Sequence, residues 1–376
     1  MNNKYNGHIV IVFALEHYNP LGLIRSLGEN GVYPVYFSVK RRGPVACLSK
    51  YISTCHHVDS VEEGFDLLVK IYGNEQLKPY VLFSDDKSVG YFDLHYDEVK
   101  DKFIFYNARK QGRINEFMDK ERILQLAKKH GFNVLDTKVV KVGEIPEGLE
   151  YPVITKDISP NSGSWKSDVY ICENEEQLKE AYEKITSPVV QLERFVDKKN
   201  EYAIEGLCVD HGKQMLIGTT LTWKYLIKGY YSPYHDAFMM KDMGMKKRLQ
   251  EMMEEIGFEG IFEVEFLIDK DETYYFLETN FRASAWNYSS TVAGMPLSYL
   301  WVKSMDANKI DPTDEKEFEP FTDMSEVIDY GKRVEGGMVS FAEWLKDFKE
   351  AKNTYYYNKD DMAPFEVLYE HWDEYK

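Results

Sequence analysis

Apolar and polar positions follow two periods along this 376-residue chain, one for buried strands and one for amphipathic helices. Residues 8–15, HIVIVFAL, form a near-continuous apolar run, the pattern of a parallel strand covered on both faces. The loop EHYNPLG follows, and LGLIRSLGENG then reads as an amphipathic helix closed at Gly31. VYPVYFSV predicts the next strand, and a β-α-β start of this kind predicts a parallel sheet. A helix near 61–72, the strand YVLFSDD at 80–86, a further helix and the short strand FIFYN at 103–107 complete a first α/β domain over residues 1–110.

The pattern changes over residues 111–310. Asp119 reads as an N-cap and Gly131 as a stop, predicting a helix over 120–130. The strand DTKVVKV follows, then a strand at 152–157, a small-residue loop at 159–164, a strand at 167–172, a helix at 175–185 and a strand at 188–193. Two strands, a loop and a returning helix, about 150–190, make a compact unit able to move as a lid. EYAIEGLCV (201–209) and QMLIGTTLT (214–222) read as antiparallel strands turning at Asp210-His211-Gly212. The helix 246–258, the hairpin IFEVEFLIDKDETYYFLETNF and a helix near 296–305 follow, and residues 311–376 form a C-terminal extension. The expected class is therefore α/β joined to α+β, with no internal repeat and no low-complexity segment.

Composition narrows the partners. With 46 basic against 63 acidic residues, the net charge of −17 argues against a nucleic-acid or anionic-membrane binder, though not against a local basic pocket for a nucleotide. Cys47, Cys55, Cys172 and Cys208 form no CxxC pair, and no His cluster accompanies them, so neither a disulfide scaffold nor a structural zinc site is expected. His56 and His57 follow Cys55 directly, but adjacent strand residues point to opposite faces. No apolar run reaches the roughly 18 residues of a membrane span. The N-terminus enters a strand without a signal-peptide pattern, and a reducing cytoplasm is the expected setting.

The hairpin carries the chemistry. Glu265 lies on its first strand, and Glu278, Asn280 and Arg282 follow at steps of two on the second, which places them on one face. Carboxylate oxygens with few waters suit a Mg²⁺ ion also held by nucleotide phosphates. An arginine beside them can grip a phosphate or carboxylate with two parallel hydrogen bonds. The plainer reading is an ordinary polar strand face. In the first domain GxGxxG is absent after the first strand. Glu16, His17 and Asn19 sit in the loop after that strand, and Asp85 and Asp86 after the third, where such sheets bind ligands. The alternative is that Asn19-Pro20 only starts a helix and the aspartates cap one. SPNSGS can bring backbone N–H groups to phosphate, but it is not a Walker sequence.

The order of these pieces resembles the ATP-grasp superfamily over residues 8–305: an α/β domain, an Asp-Lys helix start, P-V-I-x-K before a small-residue loop, E-R-F-V, then E…E-x-N-x-R. The resemblance implies an ATP-grasp fold with an N-terminal pre-ATP-grasp domain, and roles residue by residue. Lys120 and Lys156 reach the ATP phosphates. Ser162, Gly163 and Ser164 belong to the lid loop, which has one glycine where many members have several; closure there depends more on Ser162, Ser164 and Lys166. Glu193, Arg194, Phe195 and Val196 match the hinge whose backbone meets adenine, and Glu201 the carboxylate on the ribose hydroxyls. Glu265, Glu278 and Asn280 match the ligands of Mg²⁺, with Mn²⁺ as an alternative. Arg282, with Lys156, serves the reacting acyl phosphate. Dimers are common among relatives, so a homodimer is an expectation of the resemblance alone.

The implied chemistry is ADP-forming ligation: a carboxylate takes the γ-phosphate of ATP, and an amine then displaces phosphate. The loop with Asn19 and Gly22 looks like the start of amino-acid ligases of the D-aspartate ligase kind. The substrates would be small carboxylates and amines: an amino acid, a peptide or a cell-wall precursor. Glu16, Asn19, Lys224 and His235 are candidate substrate contacts, with Trp223 and Lys228 in the same aromatic segment, which alternatively packs the core. Trp286 and Asn287 follow the arginine closely. Two other readings stand beside this one: a bicarbonate-activating enzyme resembling biotin carboxylase or carbamoyl-phosphate synthase, and an ATP-binding regulatory protein without catalysis.

Overall fold

The computed structural model describes residues 2–41, 43–157, 168–226, 232–325 and 338–371. The chain divides into two units. One holds Met1–Gly131, Glu201–Glu265 and Glu278–Lys376, and the other holds Phe132–Asn200 and Phe266–Leu277.

The first unit opens with a sheet built from β1 (Lys4–Tyr5), β2 (His8–Leu15), β3 (Val35–Val39), β4 (Thr54–Val58), β5 (Tyr80–Leu82) and β6 (Ile104–Phe105). The order is β4-β3-β2-β5-β6, all parallel, with β1 antiparallel on β2. Val10 to Ala14 are fully buried, as the continuous apolar run requires. The strand order reverses between β2 and β5, and the loops at that switch point are where such sheets offer a ligand crevice. α1 (Pro20–Glu29) leaves β2 there. The strand expected over 80–86 stops at Leu82, because Asp85 turns the chain into the helix Asp86–Leu94. Its carboxylate accepts hydrogen bonds from Ser88 N and Leu15 N, both at 2.8 Å.

The second unit contains β7 (Asn133–Val134) and the antiparallel sheet β10-β9-β11-β8, from β8 (Thr137–Lys141), β9 (Val153–Asp157), β10 (Ile171–Cys172) and β11 (Val189–Arg194). The helix Glu175–Tyr182 packs Leu178 and Ala181 against Val153, Val190 and Leu192, a small core of its own. The lid loop, including Ser162, Gly163, Ser164 and Lys166, lies outside the described residues. β7 pairs in parallel with Tyr275 and Phe276 at the hairpin tip.

The first unit also holds most of a sheet of β12 (Lys198–Val209), β13 (Gln214–Trp223), β14 (Tyr234–Phe238), β15 (Gly260–Asp269), β16 (Tyr274–Asn280) and β17 (Phe321–Met324), ordered β17-β14-β13-β12-β15-β16, of which residues 198–200, 266–269 and 274–277 are counted in the second unit. Asp210, His211 and Gly212 all take positive φ, the tight turn read from the sequence. No helix among the described residues is long and apolar enough to cross a membrane.

The C-terminal extension returns to the start of the chain. Arg25 on α1 is fully buried. Its Nε donates to Asp361 Oδ2 at 2.8 Å, its Nη2 to the Asp361 carbonyl at 3.1 Å and its Nη1 to the Tyr355 carbonyl at 2.5 Å. Tyr355 Oη accepts from Gly22 N at 2.8 Å and donates to the carbonyl of Tyr18 at 2.8 Å. Gly22 leaves no room for a side chain, since an added Cβ would lie 1.7 Å from Asn287 Oδ1. Gly22→Ala is therefore expected to cost about 1–3 kcal/mol, the range of core overpacking. A chemical-denaturation midpoint equal to that of the parent would show that Asn287 yields freely.

Candidate functional site

The site begins with strand parity. On β15, Glu263 and Glu265 share a face; on β16, Glu278 and Asn280 do. Thr279 between them is buried while Glu278 is exposed, so the polar face of β16 is open to solvent. The Asn280 amide nitrogen lies 3.1 Å from Glu263 Oε2, 3.3 Å from Glu265 Oε1 and 3.4 Å from Glu278 Oε1. An amide donor thus stands where three carboxylates converge. The Glu265 carboxyl is pushed well above its ordinary range, first by burial and then by the charges of Glu278, Glu263 and Glu201. A cation would relieve that field. Among the described residues no group of three His, Cys, Asp or Glu side chains could by itself hold a metal ion.

Arg282 closes one side of the cluster. Its Nη1 donates to Glu263 Oε2 at 2.8 Å, and its Nε is 3.3 Å from Asp86 Oδ1. Burial opposes its charge, but Asp86, Glu263 and Glu265 outweigh burial and keep the guanidinium protonated. Asp86 is 55% exposed, so the arginine is anchored from within by Glu263 and meets solvent beside Asp86. Ala283 N donates to the Phe83 carbonyl at 3.3 Å, which ties the end of the hairpin to the switch-point loop after β5.

Glu263 is the residue the sequence reading missed. It is buried and receives Arg282, Asn280 and, at 2.7 Å, the indole Nε1–H of Trp286. Its carboxyl is raised by burial and lowered again by Arg282 and Trp286. The signal was present, since Glu263 stands two residues before Glu265 on one strand. Trp286 and Asn287 are themselves buried. Trp286 packs with Ala203, Leu221, Trp223 and Ala237, while Asn287 Nδ2 donates to the carbonyls of Ser284 and Asn19 at 2.5 and 3.1 Å.

The other candidates separate into groups. Lys120 begins the helix Lys120–Lys129, whose N-cap Asp119 accepts from Arg122 N at 3.0 Å, and Glu201 is half-buried on β12. In the second unit, Lys156 on β9 is ion-paired with Glu193 on β11, and Gln191 Nε2 donates to the other Glu193 oxygen at 3.0 Å. The backbone N–H groups of Arg194 and Phe195, expected at a hinge, donate to the carbonyls of Asp136 and Pro152 at 2.9 and 2.8 Å.

The proposed substrate contacts fare differently. Lys224 lies 3.2 Å from Asp236 and 3.9 Å from Asp347, so its charge is matched within the sheet region. His235 is fully buried on β14, edge-on to Trp223 and 3.9 Å from Asp323. As it stands it cannot touch a ligand, because β14 is an interior strand rather than part of an open aromatic loop. Lys228 lies outside the described residues. Glu16 is buried, accepting from Ser38 Oγ at 2.5 Å, Val45 N at 2.8 Å and Cys47 N at 3.3 Å. It lines a cavity of about 360 Å³ with Ser38, Arg41 and His57, none of which belongs to the Arg282 cluster. Asn19 precedes α1 as its N-cap without a side-chain capping bond.

No family model and no curated protein matches the sequence. Solved structures do match in shape. An L-amino acid ligase from Bacillus licheniformis aligns with TM-score 0.60 and 14% identity, over 83% of this chain and 78% of that one. A biotin carboxylase from Campylobacter jejuni, in complex with β,γ-ATP, aligns with TM-score 0.64 and 16% identity, over 83% and 74%. An N5-carboxyaminoimidazole synthetase from Staphylococcus aureus aligns with TM-score 0.66 and 15% identity, over 89% and 88%. The fold these structures share with the chain is the ATP-grasp fold.

Proposed function

We propose that this ATP-grasp chain is an ADP-forming carboxylate–amine ligase, activating a carboxylate with ATP and joining it to the amine of an amino acid, peptide or cell-wall precursor. The observation that carries the reading is the convergence of Glu265, Glu278 and Asn280 beside an Arg282 held cationic by Glu263 and Asp86. Glu265, Glu278 and Asn280 would hold Mg²⁺, with Mn²⁺ as a substitute; bound there, the metal would neutralise phosphate charge. In the first step the carboxylate oxygen attacks the γ-phosphorus, and the bond from phosphorus to the ADP oxygen breaks. In the second, the amine attacks the acyl carbon, phosphate leaves and the amine loses a proton to solvent. Both steps crowd negative charge, and a rigid guanidinium beside the carboxyl stabilises it without reorganisation. Lys120 and Lys156 are assigned to the phosphates, Glu193 through Val196 to the adenine and Glu201 to the ribose. Within that stretch, the Arg194 and Phe195 amides already bond the Asp136 and Pro152 carbonyls.

A second reading, bicarbonate as the activated carboxylate, is favoured by the biotin carboxylase and the carboxyaminoimidazole synthetase among the similar structures. A phosphate-release screen with pairs of L- and D-amino acids, against bicarbonate alone, separates the two. Release that needs an amino-acid pair supports ligation; release with bicarbonate alone overturns it. Lys156→Ala should weaken ATP binding by about 10- to 100-fold, the value of a hydrogen bond to a charged group. Calorimetric titration with a non-hydrolysable ATP analogue checks this, and unchanged affinity removes Lys156 from the nucleotide site.

A further inference from the structure

Behind the cluster stands a carboxyl group that the ligase reading does not use. Glu205 on β12 is fully buried, and among the described residues it makes no ion pair. Its Oε1 accepts both from Ser284 N at 2.9 Å and from Ser284 Oγ at 2.8 Å. Its Oε2 lies 3.4 Å from Ser290 Oγ, which also accepts from Thr219 N at 3.1 Å and contacts Thr219 Oγ1 at 2.9 Å. The pairing of β12 with β13 slips at this point. Ile204 faces Thr220 and Gly206 faces Ile217, so Gly218 and Thr219 together oppose Glu205 alone. A bulge of this kind re-aims a side chain. Gly218 is part of the same device, since a Cβ there would lie 2.4 Å from Ser290 Oγ.

We propose that Glu205 is a positioning residue, which fixes the segment Ser284–Ser290 and through it the Glu263–Arg282 pair. The segment links them directly: Trp286 lies two residues past Ser284, its backbone N donates to Ser284 Oγ at 3.3 Å, and its indole holds Glu263. Ser284 N and Oγ donate to Oε1 and Ser290 Oγ donates to Oε2, so three donors of this one segment hold the carboxyl. Glu263 on β15, Tyr106 after β6 and Tyr355 in the C-terminal extension are titratable groups that act on or respond to Glu205. Burial, with Glu263 adding to it, pushes the Glu205 carboxyl up to about 8, against the pull of the Ser284 bonds.

Glutamine keeps an oxygen for the two Ser284 donors and sets an N–H against Ser290 Oγ, whose own hydroxyl can turn to Thr219 Oγ1 at 2.9 Å. Glu205→Gln should keep turnover near the parent value. Glu205→Ala should lower kcat by about 10²-fold, the effect of a small displacement of reacting groups, with the KM for ATP little changed. The parent should lose turnover as pH rises through about 8, when Glu205 ionises beside Glu263, and Glu205→Gln should lack that loss. The turnover arms rest on the ligase reading, so a second readout stands apart from activity. In ¹⁵N spectra the Trp286 indole N–H, assigned through Trp286→Phe, should shift with pH over the same range in the parent and stay fixed in Glu205→Gln. This arm also serves if the alanine variant does not fold. A Gln variant as impaired as the Ala variant, or one with the parent's pH-dependent indole shift, overturns the proposal. An inactive parent with the expected indole behaviour overturns only the ligase reading.

Discussion

Glu278→Gln is expected to lower ATP-dependent phosphate release by about 10³-fold or more, because a metal ligand at a phosphoryl-transfer site supplies several kcal/mol of charge stabilisation. The amide keeps the shape of the side chain and removes the charge. Glu278 is exposed and shares its strand face with Asn280, so the substitution leaves the core of the hairpin untouched. The fold should not suffer. Glu278 is the largest charge raising Glu265, and removing it relieves a like-charge repulsion in the free protein. Thermal unfolding without nucleotide should therefore occur at the parent temperature or slightly above it. Loss of release with an undiminished unfolding temperature is the signature of a metal ligand. Full activity in this variant would remove the metal hypothesis and return the hairpin to a polar strand face.

Asp361→Ala should cost about 3–5 kcal/mol of folding stability, the penalty for stripping one partner from a buried ion pair. The side chains of Arg25 and Asp361 are 0% and 1% exposed, so the guanidinium would keep its charge away from bulk solvent. Asp361 also accepts from Ser49 Oγ at 2.8 Å and Lys50 N at 2.9 Å, and both donors would be left without it. Glu29 is a further carboxylate whose charge Arg25 favours, and it accepts a hydrogen bond from Tyr288 Oη at 2.5 Å. Asp361→Asn keeps most hydrogen bonds and should lose less. A urea midpoint that drops in the order parent, Asn, Ala, with an unchanged slope, is the expected result. An Ala variant as stable as the parent would mean that Arg25 finds another anion.

The elements that local pattern controls were legible in the sequence, and the long-range pairings were not. HIVIVFAL and the helix at Val61–Tyr72 lie where their periodicity puts them, and Asp119 caps its helix. The hairpin face was readable because strand parity alone brings Glu278 and Asn280 together. Glu263 was readable by the same parity and was overlooked. Its importance comes from Arg282 and Trp286, 19 and 23 residues away. His235 and Lys224 looked like ligands in an aromatic segment, yet Asp323 and Asp347 stand beside them from the extension. Glu205 has no sequence signal at all, since the bulge that aims it is a property of the pairing between two strands.

The Arg25–Asp361 pair has a consequence for how the chain is made. The two residues are 336 positions apart. At about 5–20 residues per second of synthesis, Arg25 emerges some tens of seconds before Asp361 does. For that interval the first helix carries a guanidinium whose carboxylate partner does not yet exist. Contacts of such separation also slow folding, because a long loop must close before they form. A nascent chain of this protein therefore carries its unfinished surface at the front. Ribosome-bound fragments ending before Tyr355 should recruit chaperones that the full-length chain releases.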